Sequence, residues 1–138
     1  MSRASLIRFD SIPPVRRGTR AETVPLAGPE HGSQAMINGV STFEPGTAIP
    51  LHTHNCDEIV VVIEGDGECE LDGEVYPVRP YDTTFAPAGV PHCFRNTSQA
   101  RMRILWTYAG TRVTRTILAT GETFEHLSEK DRSAVESR

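Results

Sequence analysis

Residues 51–67 read LHTHNCDEIVVVIEGDG. His52 and His54 stand one residue apart, Glu58 follows four positions later, and an aliphatic run then closes on glycines. In a strand, residues i and i+2 share a face, so His52 and His54 point the same way with Thr53 opposite. In the run that follows, Glu58, Val60, Val62 and Glu64 form one face and Ile59, Val61 and Ile63 the other. Both faces are largely apolar, so neither is expected to lie in water. One lines an interior; the other must meet a second layer, either the N-terminal arm or a partner subunit, and a homodimer follows from that reading. The stretch alone leaves open whether the three polar residues ligate a metal or merely stand at the mouth of a strand. A metal site needs a fourth group from elsewhere in the chain.

At 138 residues the chain has the length of one domain with a real hydrophobic core. Its longest apolar run, Ile59 to Ile63, is far too short to cross a bilayer. The N-terminus, MSRASLIRFDSIPPVRRG, has basic residues but no continuous apolar segment, so no secretory signal is evident. Three cysteines, Cys56, Cys69 and Cys93, are odd in number and lack CxxC spacing, which argues against a disulfide framework and for a reducing compartment. A cytoplasmic protein is expected. The net charge is −4 and the arginines are scattered without a basic stripe, so neither nucleic acid nor membrane is expected as a partner.

Residues 1–35 are rich in proline and glycine and read as an extended N-terminal arm with one or two short strands. A β-rich domain is expected over 36–119. Its strands are predicted at Ala35–Phe43, Ile49–His54, Glu58–Glu64, Glu68–Leu71, Glu74–Val78, Thr83–Pro87, His92–Asn96, Met102–Tyr108 and Val113–Ala119. Many short strands at this spacing suggest a sandwich or barrel. Asp72-Gly73 is a strong two-residue hairpin signal, because both central positions of that turn need positive φ. The tail, 120–138, is expected to hold a short helix that begins after Ser128, with Asp131 three residues on.

The candidate for the missing ligand is His92, which follows the Pro87–Pro91 turn in PAGVPHCFRN and begins a strand. Here the chain resembles the cupin superfamily, in particular its small single-domain metal-binding members. The first cupin motif, G-x5-H-x-H-x3,4-E-x6-G, is filled by Gly46, His52, His54, Glu58 and Gly65, and the second by Pro87, Gly89, His92 and Asn96. One position departs: Tyr81 replaces the first glycine of motif two. With Pro80 before it, a type I turn with negative φ at both central residues is expected to preserve the loop.

The resemblance implies an all-β fold, a small antiparallel β-barrel or jelly roll, with His52, His54, Glu58 and His92 holding one divalent transition metal ion. Strands whose ligands converge in this way fit a sheet curved round into a closed barrel. The donor set suits Fe, Mn, Ni, Cu, Co or Zn and does not choose among them. Similar proteins include dioxygenases, isomerases, cyclases and decarboxylases acting on small oxygen-rich molecules. A dioxygenase is the leading expectation, and a stand-alone small-molecule-binding module is the alternative. No catalytic acid or base is marked by a motif. Asn96 reads as a turn or barrel-wall residue, and Trp106 and Tyr108 as core or pocket lining. His31 and His126 lie outside both motifs and are read as solvated. Arg95, Arg101 and Arg103 are either exposed strand residues or anion contacts at the barrel mouth.

Overall fold

The computed structural model describes residues 4–137. In chain order the strands are β1 (Val15–Arg17), β2 (Ala21–Pro25), β3 (Ile37–Phe43), β4 (Thr47–Ala48), β5 (His52–His54), β6 (Glu58–Glu64) and β7 (Gly67–Leu71). There follow β8 (Glu74–Val78), β9 (Thr83–Ala86), β10 (His92–Arg95), β11 (Met102–Tyr108), β12 (Thr114–Ile117), β13 (Thr123–Glu125), the helix α1 (Glu129–Ser133) and β14 (Glu136–Ser137). One antiparallel sheet runs β1-β2-β3-β11-β6-β9, and the other β13-β12-β5-β10-β4-β14, with the β7–β8 hairpin attached to β10. The architecture is all-β with one short C-terminal helix, in agreement with the jelly roll expected from the motifs.

Alternation builds the interior. On β11, Met102, Ile104, Trp106 and Tyr108 are buried while the intervening residues are half-buried. Glu58, Val60 and Val62 of β6 face them from the neighbouring strand. Trp106 lies opposite Gly39 on β3, where an added Cβ would come within 2.3 Å of the indole ring, so no larger residue fits without displacing it. The single strand predicted over Ile49–His54 is interrupted: Thr47–Ala48 and His52–His54 pair separately with β10. On the outer face of β6, Ile59 is 47% and Ile63 36% exposed, so no layer among the described residues covers them, which leaves a partner subunit of the two expected covers.

The residues before β3 and after β12 are tied together by buried charge. The Asp131 carboxylate, with no solvent exposure, contacts Arg17 Nη2 at 3.2 Å and Arg115 Nη1 at 3.0 Å, and accepts from the Leu127 backbone N–H at 2.8 Å. Arg17 also donates through Nε to Thr23 Oγ1. Burial raises the Asp131 carboxyl, but Arg115 and Arg17 outweigh it and hold it below its ordinary value. Ser128 caps α1 by accepting from the Asp131 N–H, as expected. His126 is not solvated. Its ring packs on Trp106 and Tyr108 at centroid distances of 5.0 and 5.3 Å, and burial, with Arg17 and Arg115 nearby, draws its pKa down to about 3.

The Tyr81 turn differs from the one expected. Asp82 N–H bonds to the Arg79 carbonyl at 3.0 Å, closing a turn with Pro80 and Tyr81 at its centre, but Tyr81 has φ +75°. That is a type II turn, which favours glycine here. Its cause is β6: the Tyr81 N–H donates to the Val62 carbonyl at 2.6 Å while Val62 N–H donates to Asp82 O. The peptide between Pro80 and Tyr81 must therefore face β6, and this orientation selects type II. The Tyr81 side chain is 81% exposed and adds little packing to offset the strain.

Two outcomes follow. Left-handed backbone costs a non-glycine residue about 1–2 kcal/mol, against about 0.5–1 kcal/mol of extra unfolded-chain freedom for glycine. Tyr81→Gly should therefore raise stability in urea melts by roughly 0.5–1 kcal/mol. His126 has a lower pKa folded than unfolded, so between about pH 6.5 and 3 the unfolded chain holds the extra proton and stability falls as pH drops. Replacing the ring by phenylalanine, His126→Phe, should make that acid loss shallower in melts recorded from pH 7 to 4; an unchanged slope would contradict the assignment.

Candidate metal centre

The four motif residues come from both sheets. His52 and His54 lie on β5, buried on the same face; His92 opens β10 and is the register partner of His52. Glu58 opens β6 in the opposite sheet, beside Tyr108 of β11. The ligating atoms of His52, His54 and His92 lie within 4.8 Å of one another. Glu58 Oε1 is 2.8 Å from His92 Nε2 and 3.8 Å from His54 Nε2. All four side chains border a cavity that includes Val60, Phe94 and Tyr108 in its wall, or touch one that does.

Each ring is aimed by a main-chain carbonyl. His52 Nδ1 lies 2.6 Å from Pro50 O, His54 Nδ1 2.9 Å from Thr114 O, and His92 Nδ1 2.8 Å from Val90 O. A carbonyl can only accept, so Nδ1 carries the proton and, in the neutral ring, Nε2 presents a lone pair inward. His52 and His54 are neutral because burial, reinforced by the Arg115 charge, lowers both, His54 to about 4. For Glu58, burial favours the acid, yet His92 and His54 outweigh it and the carboxyl is lowered. It presents a carboxylate.

These donors fit a metal ion. Three imidazole nitrogens and one carboxylate suit a divalent transition metal, and the carbonyl at each Nδ1 is the outer-shell support such ligands use. Glu58 Oε1 and His92 Nε2 stand 2.8 Å apart, close enough for one cation to be held by both.

The loops that support the ligands are clamped by the residues between them. Asp57 accepts from the Ala88 N–H, Gly89 N–H bonds to His54 O, and Asn55 bonds both Arg112 O and the Thr114 N–H. Asn96 is a wall residue, with Nδ2 donating to Phe43 O and Ala100 O and Oδ1 accepting from Ser98. Arg95, Arg101 and Arg103 are paired on the surface with Glu68 and Glu70, with Glu64, and with Thr42 and Glu64. They lie away from the cavity. The cations that do line it, Arg17 and Arg115, were not singled out from the sequence. Arg115 carried one signal: it alternates with Val113 and Ile117, which are both buried. Tyr108 is resolved as pocket lining. Its hydroxyl is 3.4 Å from His54 Nε2, and burial next to Glu58 pushes the phenol well above its ordinary pKa, so it keeps its proton.

Among the described residues no helix is long and apolar enough to cross a membrane. Protein SchB of Streptomyces halstedii is 32% identical over 104 residues, which are 75% of this chain and 75% of SchB. The 5-nitrosalicylic acid 1,2-dioxygenase of Bradyrhizobium sp is 37% identical over 62 residues, 45% of this chain but 30% of that enzyme, so the match spans less than a third of its length. The polyketide cyclase RemF from Streptomyces resistomycificus superposes with a TM-score of 0.71 at 18% identity, covering 86% of this chain and 89% of that one, a likeness of fold. The family model described as Cupin domain matches residues 39–108, half of the sequence and the span that carries His52, His54, Glu58 and His92, and the chain belongs to that family.

Proposed function

We propose that the chain is a mononuclear metalloenzyme acting on a small oxygen-rich organic molecule, with dioxygenation favoured over isomerisation, cyclisation or decarboxylation. The observation that carries this reading is the convergence of three inward Nε2 atoms and the Glu58 carboxylate on one buried cavity. His52, His54, Glu58 and His92 would hold one divalent ion, whether Fe, Mn, Ni, Cu, Co or Zn. Such an ion would supply Lewis-acid activation and a template for the substrate. The chain's own groups do the rest. The Nδ1 carbonyl bonds keep the rings from turning, Val60 and Phe94 supply the apolar part of the cavity wall, and the Tyr108 hydroxyl can hydrogen-bond an oxygen seated beside His54. The match to an enzyme named as a 1,2-dioxygenase supports the ordering.

A stand-alone small-molecule-binding module is the second reading, and the cavity size constrains both. At about 30 Å³ it has room for little more than a water, so any larger molecule requires the wall to move. Metal analysis combined with oxygen-uptake assays on candidate substrates separates the two readings.

The exposed face of β6 supports a homodimer. Ile59 and its register partner Phe85, on the edge strand β9, are 47% and 58% exposed and adjoin the exposed Ile63. A second copy is the proposed cover.

His52→Ala and His92→Ala should each reduce bound metal from near one per chain to a small fraction, measured by elemental analysis of protein purified without chelators. Full retention by both variants would overturn the metal site. Light scattering should report a dimer that Ile59→Lys, combined with Phe85→Lys, converts to a folded monomer.

A further inference from the structure

The cavity holds more cationic character than a metal site alone calls for. Arg115 lies on β12 as the register partner of His54, and its side chain, 5% exposed, lines the cavity with His52, Glu58, His92 and Tyr108. Arg17, also in the wall, is fully engaged, donating to Thr23 Oγ1, Asp131 O and Asp131 Oδ2. Arg115 is not. Its Nη1 stands 3.0 Å from Asp131 Oδ1 as an ion pair, but neither that Nη1 nor the buried Nε finds a hydrogen-bond partner. A guanidinium is a planar fork suited to two parallel bonds with an oxyanion, and a buried donor left unmade is costly.

Charge points the same way. Arg17 and Arg115 balance Asp131 and Glu58, so the interior is neutral without a metal. A bound divalent ion leaves two positive charges over. An interior of low dielectric does not tolerate that surplus without an anion.

We propose that Arg115 recognises an anionic group of the substrate, a carboxylate or a comparably small oxyanion, and seats it against the His52, His54 and His92 cluster. The charge argument rests on the proposed metal site; the spare donor of Arg115 stands without it. The substrate class is thereby narrowed to small oxygen-rich acids. Asp131 is the counter-group that holds the guanidinium in place when substrate is absent.

The test uses the full chain loaded with zinc, which is redox-inert, with zinc content measured on every sample. Glycolate and glycolamide have nearly the same size and differ in charge. Each is titrated by calorimetry and by the fluorescence of Trp106, the chain's one tryptophan, which lines the cavity. Glycolate should bind at least about tenfold more tightly than glycolamide, and Arg115→Gln should remove that advantage while zinc content stays at the wild-type level. Arg115→Lys keeps a cation opposite Asp131 and serves if Arg115→Gln does not fold; losing the fork should still weaken glycolate several-fold. Equal binding of the two probes, no glycolate binding, or unchanged glycolate affinity in the folded variant would overturn the proposal. A wild-type chain that holds no zinc yet binds glycolate through Arg115 would sink the metal reading and leave this one intact.

Discussion

The two sheets meet where Glu58 Oε1 approaches His92 Nε2 at 2.8 Å. This contact depends on nearly everything else in the molecule. Glu58 belongs to the sheet that carries Trp106 and Tyr108, and His92 to the sheet that carries His52 and His54. Bringing the two within reach requires the sheets to close over a core in which Val60, Val62, Met102 and Trp106 are nearly inaccessible to water. Burial of those side chains supplies the driving force, on the order of 25 cal/mol per Å² of apolar surface. The carbonyls at each Nδ1 then remove the freedom the rings would use to escape, since turning a ring would strand a buried donor.

The Asp131 network is the second device that closes the structure. It joins residues 114 positions apart in the chain, and its charges are taken fully out of water. Such networks are weak contributors to net stability, because desolvation cancels much of the attraction, but breaking one partner is severe. The physical return is geometric. One carboxylate accepts from Arg17 and the Leu127 N–H and forms an ion pair with Arg115, which fixes the segment with His126 and α1 against β1 and β12.

What the sequence disclosed and what it hid divide along the same line. Strands β6, β8 and β11 were legible to the residue because alternation and turn chemistry are local. The Asp72-Gly73 turn has positive φ at both residues, as its hairpin requires. That His52, His54, Glu58 and His92 would come together was legible from their match to the cupin motifs, with strand alternation placing only His52 and His54 on one face. Arg17, Arg115 and Asp131 were not. Charged residues ordinarily mark solvent, and the burial of these three turns on Arg17 meeting Asp131, 114 positions away. Tyr81 failed for a related reason: proline before it suits type I and type II turns equally, and the choice was made by the backbone of Val62 in another strand. The apolar run of β6 was correctly read as two-faced, but a single chain leaves its outer face in water.

These hidden residues bear on the site itself. Arg115 sits at once on Asp131 and on the wall of the cavity, so the group that fastens the C-terminal segment also sets the charge seen by anything entering. An anion that engages the unpaired Nε of Arg115, as proposed, would share the guanidinium with Asp131. Asp131 in turn contacts Arg17 and the Leu127 N–H, which lie on the segments packed over the cavity. At about 30 Å³ the cavity must enlarge for any such guest, and a neutral molecule brings no charge to offset that of the guanidinium.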